Sequence, residues 1–397
     1  MSMPVRTLAI GEECPPEGEA RLIESVVNVS LEMLRSTPGG PTGRPVPRGQ
    51  HPKSHGCVRA EFTVGDDVPT ELRHGVFREA RTYTALVRFS NGKRDADRDA
   101  DLHGMAIKLL GVEGSKVLES EKDAPTQDFV LADQPVFFIR DLADYVPFSE
   151  QLFRLRRVPS WWLLVVVLFR AYVLGDRPWR LLIGMTTKPA DLLGQRYWSQ
   201  TPYKLDRLAV KYSVRPVPYP FPSAVPRDSK DRLREALAAH LGRQEAWFDF
   251  LVQVQTDPEA MPVEDATVVW DEAKSPPTKV ATLRIPVQQF DTPAVREFDE
   301  NLSFTPWHAL ETHRPLGGIN RCRKRVYDAI SEERHRANHV PRREPTLDDL
   351  PGDLARGERP PRVAGSDRVL QPIMPLDLPV KVRSWELTVY PRSHIRR

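Results

Sequence analysis

The most constraining feature of this sequence is a set of eight short segments with the composition of β-strands, arranged in two groups of four. They are rich in β-branched and aromatic residues, turn residues bound them, and Val-Gln-Val-Gln at 252–255 alternates as a half-buried strand does. Eight strands can close into a barrel whose interior is filled by side chains or holds a ligand, although a sandwich can have the same number. The predicted strands are Cys57–Val64, Thr82–Ser90, Met105–Gly111, Thr126–Ala132, Ala209–Val214, Ala246–Gln255, Ala266–Trp270 and Lys279–Ile285.

Helical patterns occupy three other stretches. Glu19–Arg35 has apolar residues at a period near 3.6, and Ile319–Asn338 runs for twenty residues without Gly or Pro. Between the two strand groups, Trp161–Leu174 has Arg170 as its only charge. Fourteen residues are too few to span a bilayer, so this helix is expected to be interfacial or buried.

These patterns predict an α+β protein built on an antiparallel eight-stranded β-barrel. The expected organisation is an N-terminal helix and arm over residues 1–45, a barrel domain over 46–340, and an extended tail over 341–397. The barrel domain includes a helical insert at about 147–199 and the helix at 319–338, and the tail includes one candidate strand at Trp385–Tyr390.

Charge and cysteine content exclude several functional classes. The 57 basic and 54 acidic residues give a net charge of only +3, which does not favour nucleic-acid binding. Three widely spaced cysteines indicate neither a disulfide framework nor a zinc site, and the first residues form no apolar leader, so a cytoplasmic protein is expected. The sequence has no dinucleotide-binding glycine motif, phosphate loop, H-E-x-x-H or nucleophile elbow.

One helix face carries a tyrosine between arginines. Arg323, Tyr327 and Arg334 stand at i, i+4 and i+11, so they project from the same face. A nearby guanidinium lowers the pKa of a phenol, which suits a tyrosine that ligates ferric iron, as in catalases. From spacing alone, an ordinary core tyrosine with solvated arginines is the more frequent explanation.

Five sequence blocks, in order, resemble the haem catalase family. The segment from Arg48 to Lys53 resembles the family's Arg-x-x-His-x-Lys run. Arg88-Phe89-Ser90 and the runs Asp101–Lys108 and Pro135–Asp141 resemble the blocks that follow. The fifth block is Arg323-x-x-x-Tyr327 with Arg334, preceded by Ser303–Trp307. The matches extend over about residues 45 to 340, and the relatives closest in character are the catalase-related haem peroxidases.

The resemblance implies a haem b site with assigned roles. His51 is expected to act as the distal acid–base residue and Ser90 to orient its imidazole, while Tyr327 is the expected axial iron ligand and Arg323 its charge partner. Arginines are expected on the haem propionates and aromatic side chains on the pocket wall. The arginines are Arg48, Arg88 and Arg334, and the aromatic residues are Phe137, Phe138, Tyr145 and Phe148.

Two positions depart from the family pattern. His55 lies four residues after His51 and is the alternative distal base, although Arg48 and Lys53 favour His51. Where the family has a distal asparagine, this chain has Ala132, and a slip of one residue would offer Asp133 instead. A carboxylate would not replace a neutral amide donor.

The resemblance therefore implies peroxidase chemistry on hydrogen peroxide or on organic hydroperoxides, lipid hydroperoxides included, with a small reducing donor. The alternatives are an isomerase of fatty-acid hydroperoxides, of allene oxide synthase type, and a haem-binding protein without turnover. A homo-oligomer is compatible with the resemblance. The apolar helix at 161–174, flanked by arginines, predicts either peripheral contact with an anionic membrane or a lid packed on the barrel.

Overall fold

The structure is a computed structural model that describes residues 8–36, 46–92, 95–155, 160–174, 177–218 and 228–355. Within these ranges nine strands form one antiparallel sheet. The strands are β1 Ser54–Val64, β2 Arg81–Asn91, β3 His103–Leu110, β4 Thr126–Ala132, β5 Tyr197–Trp198, β6 Tyr203–Leu205, β7 Leu208–Pro216, β8 Ala246–Val254 and β9 Thr278–Ile285.

The sheet closes on itself. Strands β1 to β5 pair in chain order, β5 pairs with β7, β7 with β8, β8 with β9, and β9 returns to β1. These eight strands form the barrel, and β6 pairs only with β7 among the named strands. The predicted α+β fold with an eight-stranded antiparallel barrel is confirmed.

The helices surround this barrel. They are α1 Glu19–Arg35, α2 Leu142–Leu155, α3 Ser160–Leu168, α4 Arg177–Met185, α5 Arg232–Leu241, α6 Pro293–Asn301, α7 Gly318–Ala337 and α8 Gly352–Ala355. A π-helical turn, Phe169–Val173, continues α3. The predicted helix at Glu19–Arg35 is confirmed, and the one at Ile319–Asn338 is confirmed to within one residue at each end.

One predicted strand is wrong. Ala266–Trp270 is a turn, because the Asp265 carboxylate accepts hydrogen bonds from the backbone N–H and the hydroxyl of Thr267 at 2.9 and 2.6 Å. Its place among the eight is taken by β5, whose two residues are too few to show an alternating pattern. The candidate strand at Trp385–Tyr390 lies outside the described residues.

Aromatic side chains from several strands fill the barrel interior. Phe129 of β4 lies 4.8 Å from Phe250 of β8, 5.1 Å from Tyr212 of β7 and 6.2 Å from Phe62 of β1, measured between ring centroids. These residues come from strands around the whole barrel and are at most 2% exposed. The barrel is therefore a packed core, and any ligand site on its β2–β4 wall lies on the outer face.

Helix α7 lies over that outer face and packs on α1. Ile23, Val26 and Val27 of α1 form one apolar cluster with Cys322 and Val326 of α7. The helix begins after Gly317, whose φ is +87° and whose added Cβ would lie 2.5 Å from the Val263 carbonyl oxygen, so glycine is required there.

Replacing Phe129 with alanine tests the packed interior. We expect Phe129→Ala to lower the free energy of unfolding by about 3 to 5 kcal/mol, because the change leaves a cavity among aromatic rings. Urea denaturation measures this, with Val269→Ala as the control, since Val269 is 57% exposed. A Phe129→Ala protein as stable as the control would contradict an aromatic-filled barrel.

Candidate active site

The outer face of β2, β3 and β4 forms one wall of a cavity. Antiparallel register places Ser90, Gly104 and Ala132 in one row across the three strands, and Arg88, Ala106 and Val130 in the next. The central strand thus contributes only a glycine and an alanine. Because these residues have little or no side chain, a flat space is left above the middle of the sheet.

His51 occupies one side of this space. Its Nδ1 lies 3.0 Å from Ser90 Oγ, and an added Cβ on Gly104 would lie 2.9 Å from the imidazole ring. The ring therefore rests on the glycine, in the pair with Ser90 that the sequence predicted. His51 has φ +50°, a left-handed conformation that is uncommon for a residue with a side chain.

The loop that carries His51 is fixed on both sides. The His51 N–H donates to the Gly92 carbonyl at 3.2 Å, and Arg48 Nε donates to the His51 carbonyl at 3.2 Å. Burial lowers the pKa of His51 to about 4, although the carboxylates of Asp101 and Asp133 oppose the shift. The imidazole is therefore neutral at neutral pH and able to accept a proton.

His55 lies elsewhere. It belongs to β1 and is fully buried. Its Nε2 lies 2.7 Å from Asn91 Oδ1, and its Nδ1 lies 3.9 Å from the Asp97 carboxylate. Burial lowers its pKa to about 4 as well. His51 lines the cavity and His55 does not. Of the two histidines considered from the sequence, only His51 faces the space over β3.

Tyr327 faces the same cavity from α7. Arg323 Nη2 donates to Tyr327 Oη at 3.2 Å, so the predicted i, i+4 pair is formed. The pKa of the Arg323 guanidinium is raised overall. Burial alone would lower this pKa, but the nearby phenols of Tyr327 and Tyr203 have the larger, opposite effect. The guanidinium is fixed further by Asn320 Oδ1 at 3.3 Å.

Three arginines meet at one end of the cavity. Arg48 and Arg334 both pair with Glu300, at 2.9 and 2.7 Å, and Arg88 pairs with Asp299 at 2.5 Å. Sequence analysis predicted the arginines but missed these two α6 carboxylates, which have no motif of their own. Burial lowers the pKa of Arg48 to about 10, and Arg88 beside it acts in the same direction.

The predicted aromatic residues line the neighbouring part of the cavity, which also reaches Tyr327 and Arg323. The Phe137 and Phe138 ring centroids are 4.7 Å apart, and Phe148 lies 5.3 Å from Phe138. Burial raises the pKa of Tyr145 above its ordinary value, so this phenol is neutral. All four aromatic residues named from the sequence therefore lie on this wall.

Ala132 also lines this part of the cavity. Asp133 turns away from it: its carboxylate accepts from His103 Nδ1 at 2.9 Å and from Thr187 Oγ1 at 2.7 Å. Ala132, and not Asp133, is therefore the residue beside Ser90 and Gly104 on the cavity wall, and it presents only a methyl group there.

A second cluster of titratable groups lies beside the cavity. The ligand atoms of Glu121, His308 and Glu344 fall within 4.8 Å of one another. Lys108 donates to Asp128 at 2.7 Å and also to Glu344, while Arg342 pairs with Glu121 at 3.0 Å. Lys108 and Arg342 thus pair with the carboxylates, and the cluster is a largely buried ion-pair network.

Two solved structures share this fold. A fungal catalase superposes with a TM-score of 0.52 at 18% identity, covering 96% of this chain and 80% of the catalase. A bacterial catalase gives a TM-score of 0.53 at 18% identity, with 94% and 71% covered. No protein family model and no curated protein matches the sequence. The chain therefore has the catalase-like barrel fold.

The residues that line the cavity are compatible with the haem expected from the sequence. Gly104 and Ala106 leave space over the middle of the sheet, and His51 and Tyr327 line the same cavity. At one end three guanidiniums face two carboxylates, which leaves one buried positive charge in excess. One haem propionate would offset that excess through charge-assisted hydrogen bonds, while the aromatic wall suits the apolar edges of a porphyrin.

The buried histidines predict a pH dependence of stability. An unfolded histidine has a pKa of about 6.5, above the value of about 4 in the folded protein. Between these values the unfolded chain binds a proton that the folded chain does not. The free energy of unfolding should then fall by about 1.4 kcal/mol per pH unit for each such histidine as the pH is lowered.

Urea denaturation of the wild type and of His51→Gln across this pH range measures the effect. The variant should show a shallower dependence on pH, since it cannot take up this proton on unfolding. Identical slopes for the two proteins would show that His51 is not held neutral by burial.

Proposed function

We propose that this protein is a haem-dependent peroxidase that reduces hydrogen peroxide or organic hydroperoxides with electrons from a small donor. The observation that carries the proposal is that the His51–Ser90 pair and the Tyr327–Arg323 pair line one cavity. An acid–base group on one side and an anionic ligand on the other are what peroxide cleavage on ferric haem requires.

In this proposal Tyr327 would bind the haem iron through its phenol oxygen. Arg323 donates to the phenol oxygen and would stabilise its deprotonated form once iron is bound. Arg48, Arg88 and Arg334 would hold the propionates. When bound, the haem supplies the ferric centre at which the O–O bond is cleaved.

His51 moves the proton in this proposal. With Nδ1–H donating to Ser90 Oγ, the Nε2 lone pair would be available to accept a proton from the peroxide. The same nitrogen then gives the proton to the departing oxygen. Two electrons and two protons convert the hydroperoxide to an alcohol and water, and the donor supplies the electrons.

The first test concerns the iron ligand. We expect Tyr327→Phe to lose most of its haem, because the change removes the only oxygen ligand proposed for the iron. Haem content per chain is measured from the absorption spectrum after purification. Tyr83→Phe is the matched control, since the Tyr83 hydroxyl lies 3.5 Å from the Val76 carbonyl and outside the cavity. A Tyr327→Phe protein with full haem content and an unchanged ferric spectrum would refute the ligand assignment.

The second test concerns the methyl group of Ala132. Disproportionation of hydrogen peroxide requires a second peroxide to be captured and oriented, whereas a peroxidase needs only electrons from a donor. A positioning hydrogen bond is worth on the order of 10²-fold in rate. We expect donor oxidation driven by organic hydroperoxide to exceed oxygen release in the wild type, and Ala132→Asn to raise oxygen release by about tenfold or more.

Ala132→Val is the matched control, because it adds bulk at the same position without an amide. His51→Ala, which lacks the proposed base, sets the background for both activities. Vigorous oxygen release by the wild type with no donor oxidation would contradict the preference for peroxidase turnover. Activity that survives in His51→Ala would contradict the role of the imidazole.

A further inference from the structure

The helical insert presents a broad apolar surface. Trp162, Val165, Phe169 and Val173 follow spacings of three and four residues, so they lie on one face of α3 and its π-helical continuation. Between 45 and 67% of each of these residues is exposed. Leu168 and Leu174, at 41 and 59% exposed, extend the same surface, which is called the insert surface below.

The opposite side of α3 belongs to the cavity wall. Val167 packs against the apolar cluster that contains Phe138 and Phe148, and both of these rings line the cavity. Leu152 of α2 and Leu182 of α4 join this cluster and also line the cavity. The inner side of the insert therefore packs against the cavity wall. Its outward face is nevertheless apolar, which packing on this wall does not require.

The sequence that contains the insert surface is strongly positive. Residues 150–190 contain seven basic side chains and two acidic ones, a net charge of +5, while the whole chain carries only +3. Among the described residues of this stretch, Arg154 and Lys188 are exposed. Apolar side chains flanked by lysine and arginine match the interface of an anionic bilayer, where the apolar face enters the acyl region and the cations meet the headgroups.

The dimensions agree with a helix that lies on the membrane. No helix of the described residues is long and apolar enough to cross a bilayer. Helix α3 has nine residues, about 13 Å at a rise of about 1.5 Å per residue, which is shorter than a hydrocarbon core of about 30 Å.

We propose that the insert surface, residues 160–174, docks this protein peripherally on an anionic lipid bilayer. The docked face is the outer side of the cavity wall, so the aromatic part of the cavity lies next to the lipid. The proposal does not depend on the peroxidase function, because it rests on the exposed apolar face and on the local positive charge alone.

Flotation of the full-length chain with lipid vesicles tests this directly. Vesicles of phosphatidylglycerol and phosphatidylcholine are compared with vesicles of phosphatidylcholine alone. The wild type should float with the anionic vesicles, and its partition should fall at least tenfold with the neutral ones. Phe169→Glu combined with Val173→Glu should also reduce partition into anionic vesicles at least tenfold, since it places carboxylates in the docked face.

The matched control is Val269→Glu combined with Leu347→Glu, which makes the same change at residues 57 and 54% exposed outside the insert. This control should float like the wild type. A second pair, Arg154→Glu with Lys188→Glu, tests the charge without altering the apolar face, and it should reduce binding to anionic vesicles.

Three outcomes would overturn the proposal. The wild type could remain at the bottom of the gradient with anionic vesicles, which includes the case in which the insert surface instead pairs two copies of the chain. It could float equally with neutral vesicles, which would remove the role of charge. The control pair could lose as much binding as the insert pair, which would show that the effect is not specific to this surface.

Discussion

The site depends on how the start of α7 is fixed, because that helix carries both Tyr327 and Arg323. Arg321, in the first turn, pairs with Glu13 at 2.5 Å, with Glu19 at 2.6 Å and with Glu264 at 3.1 Å. Burial lowers the pKa of this guanidinium, but hydrogen bonds to Glu19 and Glu264 outweigh it and raise that pKa. The same carboxylates satisfy the helix terminus, since Glu13 accepts from Gly317 N–H and Glu264 from Gly318 N–H. This anchoring sets the rotation of α7, and therefore which of its side chains face the barrel.

Buried charge is organised in the same way on the other side of the cavity. Arg88 and Lys108 both project from the outer face of the barrel, and each is neutralised by carboxylates from outside its own strand: Asp299 for Arg88, and Asp128 and Glu344 for Lys108. Removing one partner of such a pair would leave an uncompensated buried charge and cost about 3 to 5 kcal/mol. The arginine cluster at the cavity end thus attaches α6 to the barrel beside the proposed haem site.

Sequence patterns predicted what depends on local periodicity and failed where tertiary contacts decide. Alternation in β8 and the long uninterrupted helix α7 were readable because each repeats its signal over several residues. The segment at 266–270 is rich in β-branched residues, yet the Asp265 side chain binds the Thr267 N–H and the segment belongs to no named strand. The choice between His51 and His55 depends on where β1 begins, at Ser54, which places His55 inside a strand against Asn91. No local signal marks that boundary, because it is set by pairing with β2.

The outer face of the barrel also determines which chemistry the cavity can support. Along a strand, successive side chains point to opposite faces, and β4 places Val130 and Ala132 on the cavity side while Phe129 points into the barrel core. At the end of the strand the chain turns, and Asp133 is held by His103 and Thr187. Moving the carboxylate into the cavity would break these hydrogen bonds and shift Phe129 out of the aromatic core. The methyl group at Ala132 is thus fixed by the packing of the same strand that forms the cavity wall. Any amide introduced there would enter a cavity whose shape is already set by the barrel.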